Sequence, residues 1–232
     1  MNAKLKYRIC FLFFLLSISC NSQNRQSKSY DEFPLEVTDD YKKVWFEEFS
    51  NNMGTYYFYK LKKPKVIQSI PVTGRFRVNS EGILYGFTLA EDHVFNGTLI
   101  PEGSWYNRYS DDDYMITLSK DISIQGFPVY HKETWPFKEN NVLFQNDGSL
   151  LNFQLAKDII IDSIPCNGTK KNRAVGLYQD GSLRSCYLSK NFEINGIPCK
   201  GGEENSDLWL NHNGQVILCF LSEDFEFHIA LH

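Results

Sequence analysis

The sequence predicts an all-β fold: an elongated antiparallel array of about six three-stranded repeats. Three observations predict it. One unit recurs along most of the chain, residues inside it alternate with period two, and Gly-containing turns stand at a fixed place within it.

The unit is clearest around Leu188, whose counterparts are Leu61, Leu89, Leu118, Leu155 and Leu221, spaced 28, 29, 37, 33 and 33 residues apart. Seven residues before these anchors stand Gly54, Gly82, Gly148, Gly181 and Gly214, with Asp111 in the third copy. Two before them come Tyr59, Phe87, Ile116, Phe153, Cys186 and Cys219; three after come Asp92, Asp121, Asp158, Asn191 and Asp224, with Pro64 in the first copy. Six after come Ile67, Phe95, Ile124, Ile161, Ile194 and Phe227, and ten after, Pro71, Pro128, Pro165 and Pro198.

Each element of the unit follows from these positions. Runs such as Val142-Leu143-Phe144 and Leu208-Trp209-Leu210 supply an incoming strand. Asn146-Asp147-Gly148, Asp180-Gly181 and Asn213-Gly214 close a hairpin, because Gly accepts the positive φ of a tight turn. In the anchor strand Phe153 and Leu155 share one face, and Asn152 and Gln154 the other. The apolar residue two after Gly breaks this alternation, which predicts a bulge. The Asp after the anchor is expected to close an Asx-type turn into a third strand ending near Pro. Turn chemistry accounts for one Asp per unit better than a calcium ladder, which needs several oxygen ligands within a dozen residues. The Ser110-Asp111-Asp112-Asp113 cluster reads as a solvated loop rather than a cation site. Tight turns require antiparallel neighbours, whereas the alternative, a three-sided β-helix, needs open corners. Residues 31–53 are expected to form a cap and the first incoming strand.

Ahead of the repeats, Lys4, Lys6 and Arg8 precede an apolar run from Ile9 to Ile18, and then Ser19-Cys20. That order is a secretory signal peptide, and the run is too short for a spanning helix, which needs about 20 residues. Leu16-Ser17-Ile18-Ser19-Cys20 resembles the lipobox of bacterial lipoproteins, with Leu one place earlier than the family pattern. The resemblance implies that Cys20 is acylated and becomes the N-terminus, anchoring the chain to a membrane, with the outer membrane of the cell envelope as the expected address. The expected organisation is a signal peptide over 1–19, a lipidated tether and start of a cap over 20–40, and one β-repeat domain over 41–232.

The repeats resemble MORN-type repeats in their recurring Gly-containing hairpin, without that family's tight period or Tyr-Glu-Gly signature. They look closer to longer bacterial β-repeats with a recurrent Gly-Ile-Pro-Cys element. Neither resemblance carries an activity or a functional residue.

Cys166, Cys186, Cys199 and Cys219 remain once Cys10 and Cys20 are assigned to the leader. Units with Val72 or Val129 after Pro have Phe87 or Phe153 in the next anchor strand, so the cysteines appear and vanish in pairs. This predicts disulfides Cys166–Cys186 and Cys199–Cys219. Four buried free thiols acting as small apolar groups are the alternative. The cysteine spacings contain no Cys-x-x-Cys, and no metal site is expected.

No Gly-x-Ser-x-Gly elbow and no phosphate loop is present, and His93, His131, His212, His228 and His232 are scattered. No catalytic residue, cofactor or enzyme activity is therefore expected. The formal charge is −4, and loss of the three leader cations takes it to −7. Without a basic patch in the sequence, nucleic acid is not an expected partner. The expected function is an envelope interaction protein that binds a protein or glycan through a repeat surface. A structural scaffold is the second reading and a hydrolase with a dispersed site the third. Trp105 and Trp135, in segments between copies, are the candidate partner contacts; Trp209, in an incoming strand, is expected in the core.

Overall fold

The computed structural model describes residues 33–49, 54–108, 110, 112–131, 141–168, 173–202 and 206–225. The expected signal peptide, Cys20, most of the tether and Trp135 lie outside these residues.

Six long hairpins pair an incoming strand with an anchor strand. They are β1 (Tyr41–Phe49) with β2 (Gly54–Leu61), the later part of β4 (Ile70–Val78) with β5 (Leu84–Leu89), and β8 (Trp105–Arg108) with β9 (Asp113–Thr117). Then come β12 (Asn141–Gln145) with β13 (Leu150–Gln154), β16 (Ala174–Leu177) with β17 (Leu183–Tyr187), and β20 (Asp207–Leu210) with β21 (Val216–Cys219). In that order their twelve strands form one open sheet, to which β3 (Lys65–Ile67) adds a thirteenth strand by pairing with β4.

After each of the first five anchors, the stretch expected as a third strand doubles back on itself. The short hairpins are β3 (Lys65–Ile67) with the start of β4, β6 (His93–Phe95) with β7 (Thr98–Ile100), and β10 (Ile122–Ile124) with β11 (Phe127–Val129). The last two are β14 (Ile159–Ile161) with β15 (Ile164–Cys166), and β18 (Phe192–Ile194) with β19 (Ile197–Cys199). All strand pairing is antiparallel, so the β-helix alternative is excluded among the described residues.

The two kinds of hairpin use different turns. In the short ones both turn residues have positive φ, as at Asn195 (51°) and Gly196 (81°), the I′ geometry that matches strand twist. In the long ones Gly181, at φ 83°, donates to Tyr178 O at 2.9 Å, while Tyr178 N donates to Ser182 O at 2.8 Å. The register then slips from Leu177↔Leu183 to Gly176↔Ser185, making Arg184 the extra residue of the predicted bulge. The bulge is why Leu183 and Cys186, three apart, are both buried.

The recurring Asp does not make the expected local turn. Asp92 Oδ1 accepts from Glu102 N at 2.7 Å, Asp121 Oδ1 from His131 N at 2.6 Å, and Asp158 Oδ1 from Gly168 N at 2.8 Å. Asn191 Oδ1 does the same with Gly201 N at 2.9 Å. Each bond joins residues ten apart, clamping the base of a short hairpin instead of starting it.

The core lies between one face of the long sheet and the layer of short hairpins. Tyr59, Phe87, Phe153, Leu89 and Leu188 are fully buried, joined by Ile124, Ile161 and Ile194 from the short strands. Burying each such side chain contributes about 1.5–3 kcal/mol. Short hairpins also tie to the next long turn: Gln68 Nε2 donates to Gly82 O, Gln125 Nε2 to Gly148 O, and Asn195 Nδ2 to Gly214 O, at 2.6–3.0 Å. At the N-terminal end, Phe33 packs edge-on against Tyr57 and Tyr59, and Tyr59 Oη accepts a bond from Leu35 N at 3.1 Å.

Candidate binding face

Among the described residues, the second face of the long sheet carries no such layer. Reading across the ladders, its central row runs Trp45, Phe58, Arg77, Gly86, Asn107, Met115, Leu143, Asn152, and on through Gly176, Ser185, Trp209 and Leu218. These positions, a mixture of polar, small, aromatic and aliphatic residues, are the outward halves of the period-two alternation. Their partners on the other face fill the core.

Trp209 is 48% exposed, as is its ladder neighbour Leu218, so the expectation that Trp209 is core is overturned. Leu208 and Leu210 take the inward positions of β20, and alternation turns Trp209 out. Trp105 does not lie in an irregular segment either. It opens β8 and pairs with Thr88 on one side and Thr117 on the other.

Around Trp105 the face is organised. Gly86 leaves a hollow: a Cβ there would stand 3.1 Å from Trp105 Cζ2 and 3.0 Å from Arg77 Nε. Arg77 fills part of it, lying over the rings of Tyr56 (4.9 Å) and Tyr85 (5.7 Å) and donating to Asn107 Oδ1. Burial and the neighbouring Tyr85 push the Tyr56 hydroxyl up to about 12. Thr117 Oγ1 donates to Asn141 Oδ1 at 2.8 Å. Trp105, Asn107, Thr117 and Asn141 line a groove of about 530 Å³ together with Arg75, Thr88, Gly103 and Met115. That volume falls in the range of small-molecule clefts, about 300–1,000 Å³.

Next to the groove, register aligns Lys43, Lys60 and Arg75 on three successive strands. Sequence inspection missed this row and the Arg77–Gly86–Asn107 hollow. The row depends on the register of β1, β2 and β4, and the hollow on the β4–β5 register beyond the bulge between Thr73 and Phe76, neither of which a local pattern announces.

The four cysteines come together in the expected couples. Cys199 Sγ lies 2.6 Å from Cys219 Sγ, and the Cys166 thiol stands beside Cys186. All four are thiols here, close but not bonded. The Cys166 sulfur and burial push the Cys186 thiol up; burial and Cys219 push Cys199 up to about 12.

Among the described residues no three of His, Cys, Asp and Glu gather closely enough to hold an ion. Ser110 Oγ accepts from Asp112 N and Asp113 N at 3.2 and 3.0 Å, the geometry of a turn; Asp111 lies outside the described residues. No described helix is long and apolar enough to cross a membrane.

Comparison with known proteins finds no family model, no curated protein and no solved structure that matches this chain.

Proposed function

We propose that this protein is a lipid-anchored component of the bacterial cell envelope that binds a protein or glycan partner through the uncovered face of its repeat sheet. One observation carries the reading. The short hairpins cover one face of the sheet, while the other presents Trp209, Leu218 and the Trp105 groove. An array that buried both faces would be suited to spacing alone.

The address rests on the leader: Lys4, Lys6 and Arg8, the apolar run and the lipobox-like end at Cys20. Export also suits the cysteine couples, which in an oxidising compartment close as Cys166–Cys186 and Cys199–Cys219.

The experiment is fractionation of cells making an epitope-tagged chain, beside its Cys20→Ala variant. The wild type sediments with membranes and carries labelled palmitate; the variant loses the label. Wild-type protein recovered from the cytosol with Met1 intact overturns the address. Protease treatment of unbroken cells then separates surface display from a periplasmic position.

A further inference from the structure

The Lys43–Lys60–Arg75 row identifies the partner's chemistry. Like charges directly opposite one another on neighbouring strands destabilise a sheet, and here three stand abreast, about 5 Å from strand to strand. All three side chains are exposed. Lys43 also lies 5.3 Å from the Trp45 ring. Neither Lys60 nor Arg75 forms an ion pair with a described residue. Arg75 then leads into the Trp105 groove, whose lining among the described residues contains no carboxylate. A cationic row of this kind on a chain of formal charge −4 is a local feature that calls for an anion.

The groove adds the second half of the argument. Its floor offers a partly exposed indole resting over the Gly86 hollow, flanked by Thr88, Thr117, Asn107 and Asn141. Thr117 holds the Asn141 Oδ1, and the Asn141 NH₂ has no acceptor among the described residues. A flat aromatic surface rimmed by hydroxyls and amides suits a sugar ring, which has apolar C–H faces and an equator of hydroxyls. A protein hot spot would instead seat a side chain in a deep, charge-depleted pocket. A single-stranded nucleic acid would need successive stacking rings inside the groove, and among its described lining residues Trp105 is the one aromatic.

We propose that the uncovered face from Lys43 to Asn141 binds an acidic polysaccharide, a chain of carboxylated sugars such as uronic acids. One ring lies on Trp105 and neighbouring carboxylates face Arg75, Lys60 and Lys43. This rests on the reading that the uncovered face is the binding face, and it adds the partner's class.

The test is calorimetric titration of the detergent-solubilised full chain with hexagalacturonate, with its methyl ester, and with maltohexaose. Hexagalacturonate binds, and the uncharged chains bind about tenfold more weakly. Trp105→Ala weakens binding of the acid and its ester alike by about tenfold. Lys60→Gln with Arg75→Gln, at exposed positions that leave the fold intact, removes the preference for the acid. Salt weakens the wild-type interaction and barely affects that double variant. No binding of hexagalacturonate at millimolar concentration, equal affinity for acid and ester, or tighter binding of oligodeoxyadenylate overturns the proposal. Failure here, with solvent protection of the uncovered face on cells, leaves the interaction reading standing without its saccharide. Loss of that protection removes both.

Discussion

Asp158 Oδ1 accepts a hydrogen bond from the amide of Gly168, ten residues further on, at 2.8 Å. Asp92, Asp121 and Asn191 make the same bond to Glu102, His131 and Gly201. The most regular polar residue of the repeat thus clasps the two ends of four of the five short hairpins, all but the first, where Pro64 takes its place, and holds them over the sheet. Three-residue strands make too few ladder bonds to persist alone. The clasp and the apolar contacts beneath it are what keep the second layer in place.

Asp158→Ala therefore destabilises the protein by about 1 kcal/mol, discounted for the exposure of the carboxylate. Asp158→Asn recovers most of that loss, since Asn191 fills the same position in the next copy. Urea unfolding midpoints check both. Equal midpoints for Asp158→Ala and wild type would show that the clasp contributes nothing.

The cysteine couples give a second expectation. Protein isolated from the cells that make it under alkylating, non-reducing conditions is expected to have two bonds, Cys166–Cys186 and Cys199–Cys219, identified by peptide mapping. Each closes a loop of about 20 residues and contributes about 3 kcal/mol, so reduction lowers the melting temperature. Four alkylated cysteines in native material would identify the couples as buried thiols.

Gly148 and Gly181 occupy the same turn position, with φ 91° and 83°, yet only Gly148 is crowded: a Cβ there meets Asn96 Cβ at 2.6 Å. Gly181→Ala carries the left-handed strain alone, about 1–2 kcal/mol. Gly148→Ala adds the clash and costs roughly 1 kcal/mol more. Thermal denaturation of the two variants ranks them, and the reverse order would contradict the packing of the Asn96 turn on this hairpin.

The buried tyrosines set an alkaline limit. Burial pushes Tyr59 and Tyr114 up to about 12, against an ordinary value of 10.0. Between pH 10 and 12 the unfolded chain has released these protons while the folded chain keeps them. Stability contributed by the raised values is complete below pH 10 and is lost as pH rises through 12. Urea midpoints that fall from pH 9 to pH 11.5 bear this out, with Tyr59→Phe showing a smaller fall.

Much of this architecture was legible in the sequence, for reasons particular residues make plain. Phe153 and Leu155 against Asn152 and Gln154 give the faces of β13, and the three-residue gap from Leu183 to Cys186 gives the bulge at Arg184. The short hairpins are hard to see because three-residue strands show too little alternation, even where Asn96-Gly97, Gln125-Gly126 and Asn195-Gly196 mark the turn, and two turns use Gln68-Ser69 and Asp162-Ser163 instead. These take positive φ without Gly. Trp209 was misplaced because an aromatic residue between two leucines looks buried until alternation assigns it a face. The candidate binding face was the least legible part. Lys43, Lys60 and Arg75 are 17 and 15 residues apart in sequence and meet only through register.

The most direct test of the account is oxidative footprinting of the tagged protein on the cells that make it, compared with the same protein purified. Trp105, Met115 and Trp209 report the uncovered face; Val66 and Ile160, 65% and 74% exposed, report the ridge of short hairpins. The account predicts that the first three are oxidised readily in the purified protein and protected on cells, while the ridge residues react equally in both. Protection of the ridge with an unprotected Trp105 and Trp209 would contradict it.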